Sequence, residues 1–260
     1  MYHISDIYFI LVLYNKNYKD SKAIQCLAKM KDVNVIVVDN STRNYGNSEL
    51  EKIINYKYVN MGGNKGLSKA YNKGLEFMNK EHSLVCLLDD DTIIPSEYIQ
   101  KVLFHINNNQ DVDILLPVVK DQNGILSPNI LKKYKYCRID DLSKVTVSNI
   151  SAINSGMIIK GEIFKNYKYN ENLFLDYIDH DFIRSMKKIN KKIFVMEDNV
   201  LIQDFSVISD SEEKAKLRYS IKRNDLKYFF NNNKLYYYIT IFKHKLGLCY
   251  FQKSIKPLFW

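Results

Sequence analysis

No run of apolar residues in this chain approaches the roughly 18 that a transmembrane helix requires. The apolar residues near the start, 8–13, are too few for a secretory signal peptide, and polar residues follow them directly. Together these absences predict a cytoplasmic protein without a membrane span.

Cysteine, histidine and proline are also scarce. The four cysteines are scattered without a CxxC pair, and the five histidines show no metal-ligand spacing. This argues against a disulfide framework or a zinc site and predicts reduced thiols. The four prolines mark no linker, so we expect the 260 residues to form one large domain, with or without an appendage.

The charge that is present is unevenly distributed. Residues 211–260 carry 11 Lys or Arg against three Asp or Glu, a net of +8 out of the total of +9. The same segment carries 12 aromatic residues. A basic, aromatic segment suits an anionic surface, either phospholipid headgroups or nucleic acid. The alternative is a helical bundle that packs on the preceding domain or forms a homodimer.

Strand-like and helix-like patterns alternate through the first half of the chain. Short apolar runs predict strands over residues 7–13, 33–38, 56–59, 84–88 and 112–119. Helical patterns lie between them, over residues 20–30, 67–78 and 95–106. This alternation predicts an α/β domain with a Rossmann-like, mostly parallel sheet flanked by helices.

The second half of the chain is less regular. Residues 120–150 are polar and predict an irregular loop region near a substrate, followed by a strand over 151–160, a helix over 176–189 and a strand over 192–196. After residue 210 the pattern becomes helical, with an apolar face formed by Leu217, Ile221, Leu226, Phe229 and Phe230. We therefore divide the chain into a main domain, 1–210, and a helical extension, 211–260.

Three consecutive aspartates, Asp89, Asp90 and Asp91, follow the apolar run 84–88. Carboxylates gathered at the end of a buried strand repel one another, and a hard divalent cation bridged to a ligand's phosphates would offset that repulsion. Ligands of open α/β sheets bind at the carboxyl ends of the strands. The alternative is a solvated acidic turn before the helix that Pro95 opens.

Other small polar turns recur at predicted strand ends. They are carried by six segments, Leu13-Tyr14-Asn15, Val37-Val38-Asp39-Asn40-Ser41, the stretch 64–74, Leu88-Asp89-Asp90-Asp91, Asn154-Ser155-Gly156 and Leu175-Asp176-Tyr177-Ile178-Asp179. In this order they resemble the inverting, GT-A-fold glycosyltransferases of family 2, in particular the bacterial rhamnosyltransferase and galactofuranosyltransferase-like branch. The resemblance covers roughly residues 7–205, so the main domain would be the catalytic domain.

The resemblance implies a role for each matching residue. The nucleotide sugar would be bound by Tyr14, Asn15, Asp39, Asn64, Gly66, Asp89 and Asp90. Asp89 and Asp91 are the outer positions of the family's DxD motif, and they would hold Mg²⁺ or Mn²⁺. The acceptor would be bound by Asn154, Ser155, Gly156 and His180.

Inversion requires one carboxylate to deprotonate the acceptor hydroxyl. The resemblance aligns Asp179 with the family's catalytic base and places Asp176 beside it. Spacing alone does not choose among Asp176, Asp179 and Asp181, and each of them could instead cap the predicted helix.

One departure concerns the metal site. The family often has a histidine after the base helix, whereas this chain has Leu201-Ile202-Gln203-Asp204. The third metal contact would then be Asp204 or water alone. The triple-aspartate form of the motif is also found among galactofuranosyltransferases, which favours a UDP-linked donor, with dTDP as the other choice.

The resemblance implies transfer of galactofuranose, rhamnose or galactose from a nucleotide diphosphate sugar to a hydroxyl of a glycan acceptor. That acceptor would be lipid-linked and part of a bacterial surface polysaccharide such as a capsule or O-antigen. The enzyme would then be cytoplasmic, with the basic extension in peripheral contact with the inner face of the membrane.

Two other classes of protein fit parts of the sequence. A phosphatase of the haloacid dehalogenase type also has a strand followed by DxDx[TV], but here Ile93 stands where Thr or Val is required, and about 85 residues of α/β sequence precede the motif. A non-catalytic protein could bind a nucleotide sugar or nucleic acid. The sequence contains no recognised nucleic-acid-binding module, so nucleic acid is not an expected partner.

Overall fold

The structure is a computed structural model that describes residues 1–132, 135–203 and 211–260. The strands of the described residues are β1 Ile7–Leu13, β2 Asn34–Asp39, β3 Tyr56–Asn60, β4 Leu84–Leu88, β5 Ile114–Asp121, β6 Gly124–Ser127, β7 Asn129–Lys132, β8 Lys135–Cys137, β9 Ile150–Ser151, β10 Ile158–Lys160 and β11 Ile193–Ile202. The α-helices are α1 Lys22–Leu27, α2 Leu67–Gly74, α3 Tyr98–Asn108, α4 Ile178–Lys188, α5 Glu212–Phe229 and α6 Lys234–Gln252.

The main sheet has the strand order β11-β5-β10-β4-β1-β2-β3, and β6 extends it beside β5. Strands β3, β2, β1 and β4 are mutually parallel, and β11 is parallel to β5. Only β10 and β6 run antiparallel to their neighbours within the described sheet. The predicted α/β fold with a mostly parallel sheet is confirmed.

The central strands are buried on both faces, which explains why their sequences are continuous apolar runs. Side chains of one strand alternate between two core clusters. Ile10 of β1 packs in the cluster that also holds α2 and α4, whereas Phe9 and Leu11 pack in the cluster that holds α1 and α3. Helices therefore cover both faces of the sheet and leave its carboxyl edge for a site.

The prediction of an irregular region over 120–150 is wrong in part. These residues contain β6 and a second sheet of order β8-β7-β9, which is antiparallel throughout. The pairing of β7 with β9 joins Ile130 to Ile150 across an intervening polar stretch. Pairing between such distant segments leaves no periodic pattern in the local sequence, so it could not be predicted from that pattern. The strand predicted over 151–160 is likewise split, because a turn separates β9 from β10.

The two C-terminal helices, α5 and α6, pack on the main domain. Leu226 and Phe229 of α5 are buried in the same core cluster as α2 and α4. The guanidinium of Arg184, on α4, lies 4.1 Å from the ring centroid of Phe229. Leu217 was expected on the apolar face but is 64% exposed, because the buried face of the helix runs through Ala215 and Tyr219 instead. Within the described residues, no helix is both long and apolar enough to cross a membrane.

Candidate active site

Parallel pairing brings the predicted site segments together. In the sheet register Leu13 lies beside Asp39, and Leu11 lies beside Leu88. The residues that follow β1, β2 and β4 therefore share one edge of the sheet. Tyr14 is 52% exposed at this edge. Asn15 has a left-handed backbone (φ 50°), and its Oδ1 accepts a 2.9 Å hydrogen bond from the backbone N–H of Thr42.

Asp39 is held rigidly at the end of β2. Its Oδ2 accepts hydrogen bonds from Asn47 Nδ2 at 2.8 Å and from the Tyr58 hydroxyl at 3.1 Å. Its Oδ1 accepts the backbone N–H of Ser41 at 3.0 Å. Burial, together with the adjacent Asp39 carboxylate, raises the pKa of Tyr58 to about 12. The carboxylate is thus fixed at the carboxyl edge of the sheet, with acceptor capacity remaining on Oδ1.

The loop before α2 is fixed by an amide pair. Asn40 Nδ2 donates to Asn64 Oδ1 at 3.0 Å, and Asn64 Oδ1 also accepts the backbone N–H of Gly66 at 3.2 Å. Gly66 has a positive φ of 96°, and a Cβ there would lie 2.8 Å from the Phe174 ring. Only glycine fits this position without strain. The close approach of Phe174 to Gly66 brings the segment before α4 against the start of α2.

The three consecutive aspartates have different partners: Asp90 contacts one set of residues, and Asp89 and Asp91 contact another. Asp90 forms an ion pair with Lys16, and its carbonyl accepts a 2.9 Å hydrogen bond from Ser21 Oγ. Gln203, the residue after β11, donates through Nε2 to Asp89 Oδ2 at 3.0 Å and lies 3.4 Å from Asp91 Oδ1. The side-chain amide therefore bridges the two outer carboxylates of the triplet, while the middle one is neutralised separately.

Neither Asp89 nor Asp91 forms an ion pair with a described residue, although the charge of Lys16 acts to lower the pKa of Asp91. Burial raises the pKa of Asp89 to about 6, with the charges of Asp91 and Asp179 adding to the effect and Gln203 partly offsetting it. Burial and the Asp90 charge also raise the pKa of Asp91. A cation at this point would stabilise the ionised forms.

The donor set fits a hard divalent ion. In the described part of the chain no three His, Cys, Asp or Glu side chains converge as a metal site. Asp89 and Asp91 supply two carboxylates, and Gln203 adds an amide. Gln203 is 3% exposed, and its Oε1 has no hydrogen-bond partner among the described residues. Carboxylate and amide oxygens are the ligands that Mg²⁺ and Mn²⁺ prefer. Asp204, expected as the substitute third ligand, lies outside the described residues.

The three candidate bases are separated by their partners. Asp176 forms a bidentate pair with the Arg218 guanidinium, in which Arg218 Nη2 lies 2.7 Å from Asp176 Oδ1. Asp181 is buried and paired with Arg184. Asp179 has no cationic partner among the described residues, and its Oδ1 accepts the backbone N–H of His180 at 2.8 Å.

A cavity of about 670 Å³ joins Asp179 to the triplet. Its walls include Tyr71, Asp89, Asn154, Asp176, Asp179 and His180 from the main domain. From the extension they include Arg218, Lys222, Thr240, Lys243 and His244. Asp89 and Asp179 therefore line the same cavity.

The predicted acceptor residues are divided by the fold. Asn154 and His180 line the cavity. The His180 ring stacks on Tyr136 at 3.5 Å between centroids, its Nδ1 lies 2.7 Å from Ser151 Oγ, and burial lowers its pKa. By contrast, Ser155 is fully buried against Thr92, with 2.7 Å between their hydroxyl oxygens. Gly156, at φ +75°, packs behind the cavity, and a Cβ there would lie 2.2 Å from Leu201 Cδ1.

Asp225 of α5 was not singled out from the sequence, yet it orders the site. It is fully buried, and it accepts the backbone N–H groups of Phe174, Leu175 and Asp176 at 2.8–2.9 Å. The extension thus holds the segment that leads into Asp179. One feature of the sequence could have indicated this role: Asp225 is an isolated carboxylate beside apolar Leu226 in a basic segment.

Comparison with known proteins assigns this arrangement to a family. The sequence matches the family described as Glycosyl transferase family 2 over residues 9–195. The chain belongs to glycosyl transferase family 2, which leaves the haloacid dehalogenase alternative without support.

Two relatives are similar in sequence. A dTDP-rhamnosyl transferase, RfbF, of Shigella flexneri is 28% identical over 185 residues, covering 67% of this chain and 61% of that protein. The chain thus spans about three fifths of the length of that relative. An uncharacterized glycosyltransferase of Methanocaldococcus jannaschii is 26% identical over 238 residues, covering 87% of this chain and 72% of the relative.

Solved structures agree on the fold. Crystal structures of S. aureus TarS (its fragment 1–349) and of GalNAc-T7 with UDP, GalNAc and Mn²⁺ resemble this chain with TM-scores of 0.56 and 0.58. Identities are 20% and 12%, and the matches cover 87% and 89% of this chain against 66% and 52% of those chains. The predicted GT-A fold is confirmed.

The three bonds to Asp225 lead to a prediction about stability. Asp225→Ala removes the acceptor of three backbone N–H groups, so we expect a loss of about 2–4 kcal/mol in the free energy of unfolding. Urea titration followed by circular dichroism measures this loss. Glu213→Ala, an exposed carboxylate on the same helix, is the matched control and should change stability by less than about 0.5 kcal/mol. Equal losses in both variants would contradict the assigned role of Asp225.

Proposed function

We propose that the protein is an inverting glycosyltransferase that transfers a sugar from a nucleotide diphosphate sugar to a hydroxyl of a glycan acceptor. The observation that carries this proposal is the cavity of about 670 Å³ that Asp89 and Asp179 share. One wall offers Asp89, which would help to hold a cation that neutralises the charge of a departing diphosphate. The same cavity offers Asp179, a carboxylate without a cationic partner among the described residues.

The donor would lie along the carboxyl edge of the sheet. Asp39 is buried and oriented by three hydrogen bonds, which suits one further bond from a nucleobase or ribose hydroxyl. Asn64 and Gly66 would line the adjacent wall. The similarity to a dTDP-rhamnosyl transferase supports a dTDP-linked donor, and the triple-aspartate motif supports a UDP-linked one, with rhamnose, galactofuranose or galactose as the sugar.

We propose a divalent cation, Mg²⁺ or Mn²⁺, as the cofactor. Asp89, Asp91 and Gln203 would hold it, because their side chains already converge and Gln203 Oε1 has no partner among the described residues. When bound, such an ion acts as a Lewis acid that neutralises charge on the diphosphate leaving group.

Asp179 is the proposed general base. It must accept the proton of the acceptor hydroxyl while that oxygen attacks the sugar from the face opposite the leaving group. Ion pairing engages Asp176 with Arg218 and Asp181 with Arg184, and a carboxylate held by a guanidinium is a weaker base. Asp176 would instead fix Arg218 in the cavity wall.

The acceptor is proposed to be a lipid-linked glycan of a bacterial surface polysaccharide, reached from the inner face of the membrane. Large apolar side chains are exposed along α6, at Tyr238, Phe242, Leu246 and Tyr250. They project from a segment of net charge +8. Exposed apolar residues flanked by lysines suit the interface of an anionic bilayer.

A ligand screen tests the donor and the cation together. We expect UDP- or dTDP-sugars to raise the melting temperature in a thermal-shift assay, and the rise to require Mg²⁺ or Mn²⁺, because the ligand binds only the native state. Asp91→Ala should abolish the metal-dependent part of the rise. Glu97→Ala, at an exposed carboxylate that is ion-paired with Lys101 and does not line the cavity, is the control and should retain most of it. No shift with any nucleotide sugar would overturn the proposal.

Replacement of the base tests the mechanism. Asp179→Asn should lower the rate of sugar transfer by about 10²–10⁴-fold, the usual contribution of a general base, and leave donor affinity unchanged. Transfer is measured as release of nucleotide diphosphate, and donor affinity by calorimetry. Asp176→Asn serves as the comparison. A slower rate for Asp176→Asn than for Asp179→Asn would move the role of base to Asp176.

Vesicle sedimentation tests the membrane contact. Binding to phosphatidylglycerol vesicles should exceed binding to phosphatidylcholine vesicles, and Phe242→Glu should weaken it by about tenfold, since the variant loses buried apolar area and adds a negative charge. Phe104→Glu, at a 64% exposed position of α3, is the control and should bind like the wild type. Identical binding by both variants would exclude α6 as the contact.

A further inference from the structure

The two C-terminal helices turn a common polar face toward the active-site cavity. Arg218 and Lys222 lie one helical turn apart on α5, and Thr240, Lys243 and His244 lie one turn apart on α6. Residues three and four apart share a helix face, so both faces meet at the cavity wall. This wall borders the same cavity as Asp89 and Asp179.

The wall carries several cationic side chains, Arg218, Lys222 and Lys243. Arg218 is paired with Asp176. Lys222 is half-buried, and no residue described by the structure forms a hydrogen bond or ion pair with it. Burial, with the nearby charges of Lys222 and Arg218, lowers the pKa of His244 to about 4. The charge of the Asp176 carboxylate acts on Lys222 as well as on Arg218, so one anion serves two cations. A bound anion would offset the remaining cost of burying the ammonium.

The position of this wall separates it from the proposed cation site. A smaller cavity of about 270 Å³ holds the three aspartates and Gln203. It shares Leu67, Tyr71 and Asp89 with the larger cavity, but none of its lining residues comes from α5 or α6. The cationic wall thus lies on the side of Asp179, where the acceptor enters.

We propose that Lys222, with Arg218 and Lys243 beside it, forms a binding site for a phosphate group of the acceptor. The acceptor is then a phosphate-bearing molecule whose attacking hydroxyl lies within reach of Asp179 while its phosphate contacts α5 and α6. Guanidinium and ammonium groups are the usual partners of phosphate. The inference rests on the proposed function, because it assigns one end of the same cavity to the acceptor.

The donor diphosphate is the other phosphate that could reach this wall. The two sources differ in their dependence on the cation and the nucleotide. An acceptor phosphate needs neither, whereas the donor diphosphate is expected to bind with both. Probes of each kind therefore distinguish them.

Calorimetric titration of the full chain tests the site. Butyl phosphate is the acceptor probe, and butanol is its uncharged control. UDP and dTDP, each with Mg²⁺, are the donor probes. We expect Lys222→Met to weaken butyl phosphate binding by about tenfold, the usual loss for a charged hydrogen bond. Lys222→Arg should restore it. Lys227→Met, the same charge change at an exposed position of α5 outside the cavity, should leave it unchanged.

Three outcomes would overturn the assignment. If the wild type bound butyl phosphate no better than butanol, there would be no such site. If Lys222→Met and Lys227→Met behaved alike, the effect would be general charge attraction. If Lys222→Met weakened UDP and dTDP as much as butyl phosphate, the wall would serve the donor. If UDP and dTDP failed to bind the wild type, that result would count against the proposed function. It would not decide the phosphate site, which the butyl phosphate titration tests separately.

Discussion

Mutual repulsion among carboxylates is the constraint around which this site is built. Parallel pairing of β1, β2 and β4 places the acidic ends of adjacent strands at one edge of the sheet. Two of these carboxylates have partners of their own: Asp39 has Asn47 and Tyr58, and Asp90 has Lys16. Asp89 and Asp91 have a neutral amide in common instead. Burial raises the pKa of both, and they are the groups on which we expect the cation to act.

Helix α5 supplies positive charges that reduce the repulsion among the carboxylates of the site. Arg218 neutralises Asp176, and Lys222 adds a positive charge to a wall that faces Asp179. Asp225 on the same helix holds the backbone that carries Asp176 and leads to α4. One helix therefore both orders the segment that leads to Asp179 and supplies positive charge beside it. The extension is part of the site and does more than cover it.

The local sequence was sufficient to predict the strands that are buried on both faces. Strands β1 and β4 begin and end where their apolar runs do, because both faces of these strands lie in the core. The second sheet escaped prediction because β7 and β9 pair across a polar stretch with no period. Likewise, Leu217 fits a helical pattern and yet is exposed, since the pattern does not say which face meets a neighbour.

The same distinction holds for the site. The aspartates of strand ends could be named from sequence, since their motif is contiguous. The hydrogen-bond partners of Gln203 and Asp225 lie 49 to 114 residues away in the chain, so no local pattern predicts these contacts.

Asp225 and Lys222 also lie three residues apart on one helix. Any exchange of the C-terminal helices between relatives would move the backbone anchor and the cationic wall together. A change in the course of α5 would therefore alter the proposed phosphate site and the support of the segment that leads to Asp179 at the same time. A chimaera that replaced only part of α5 would separate the two.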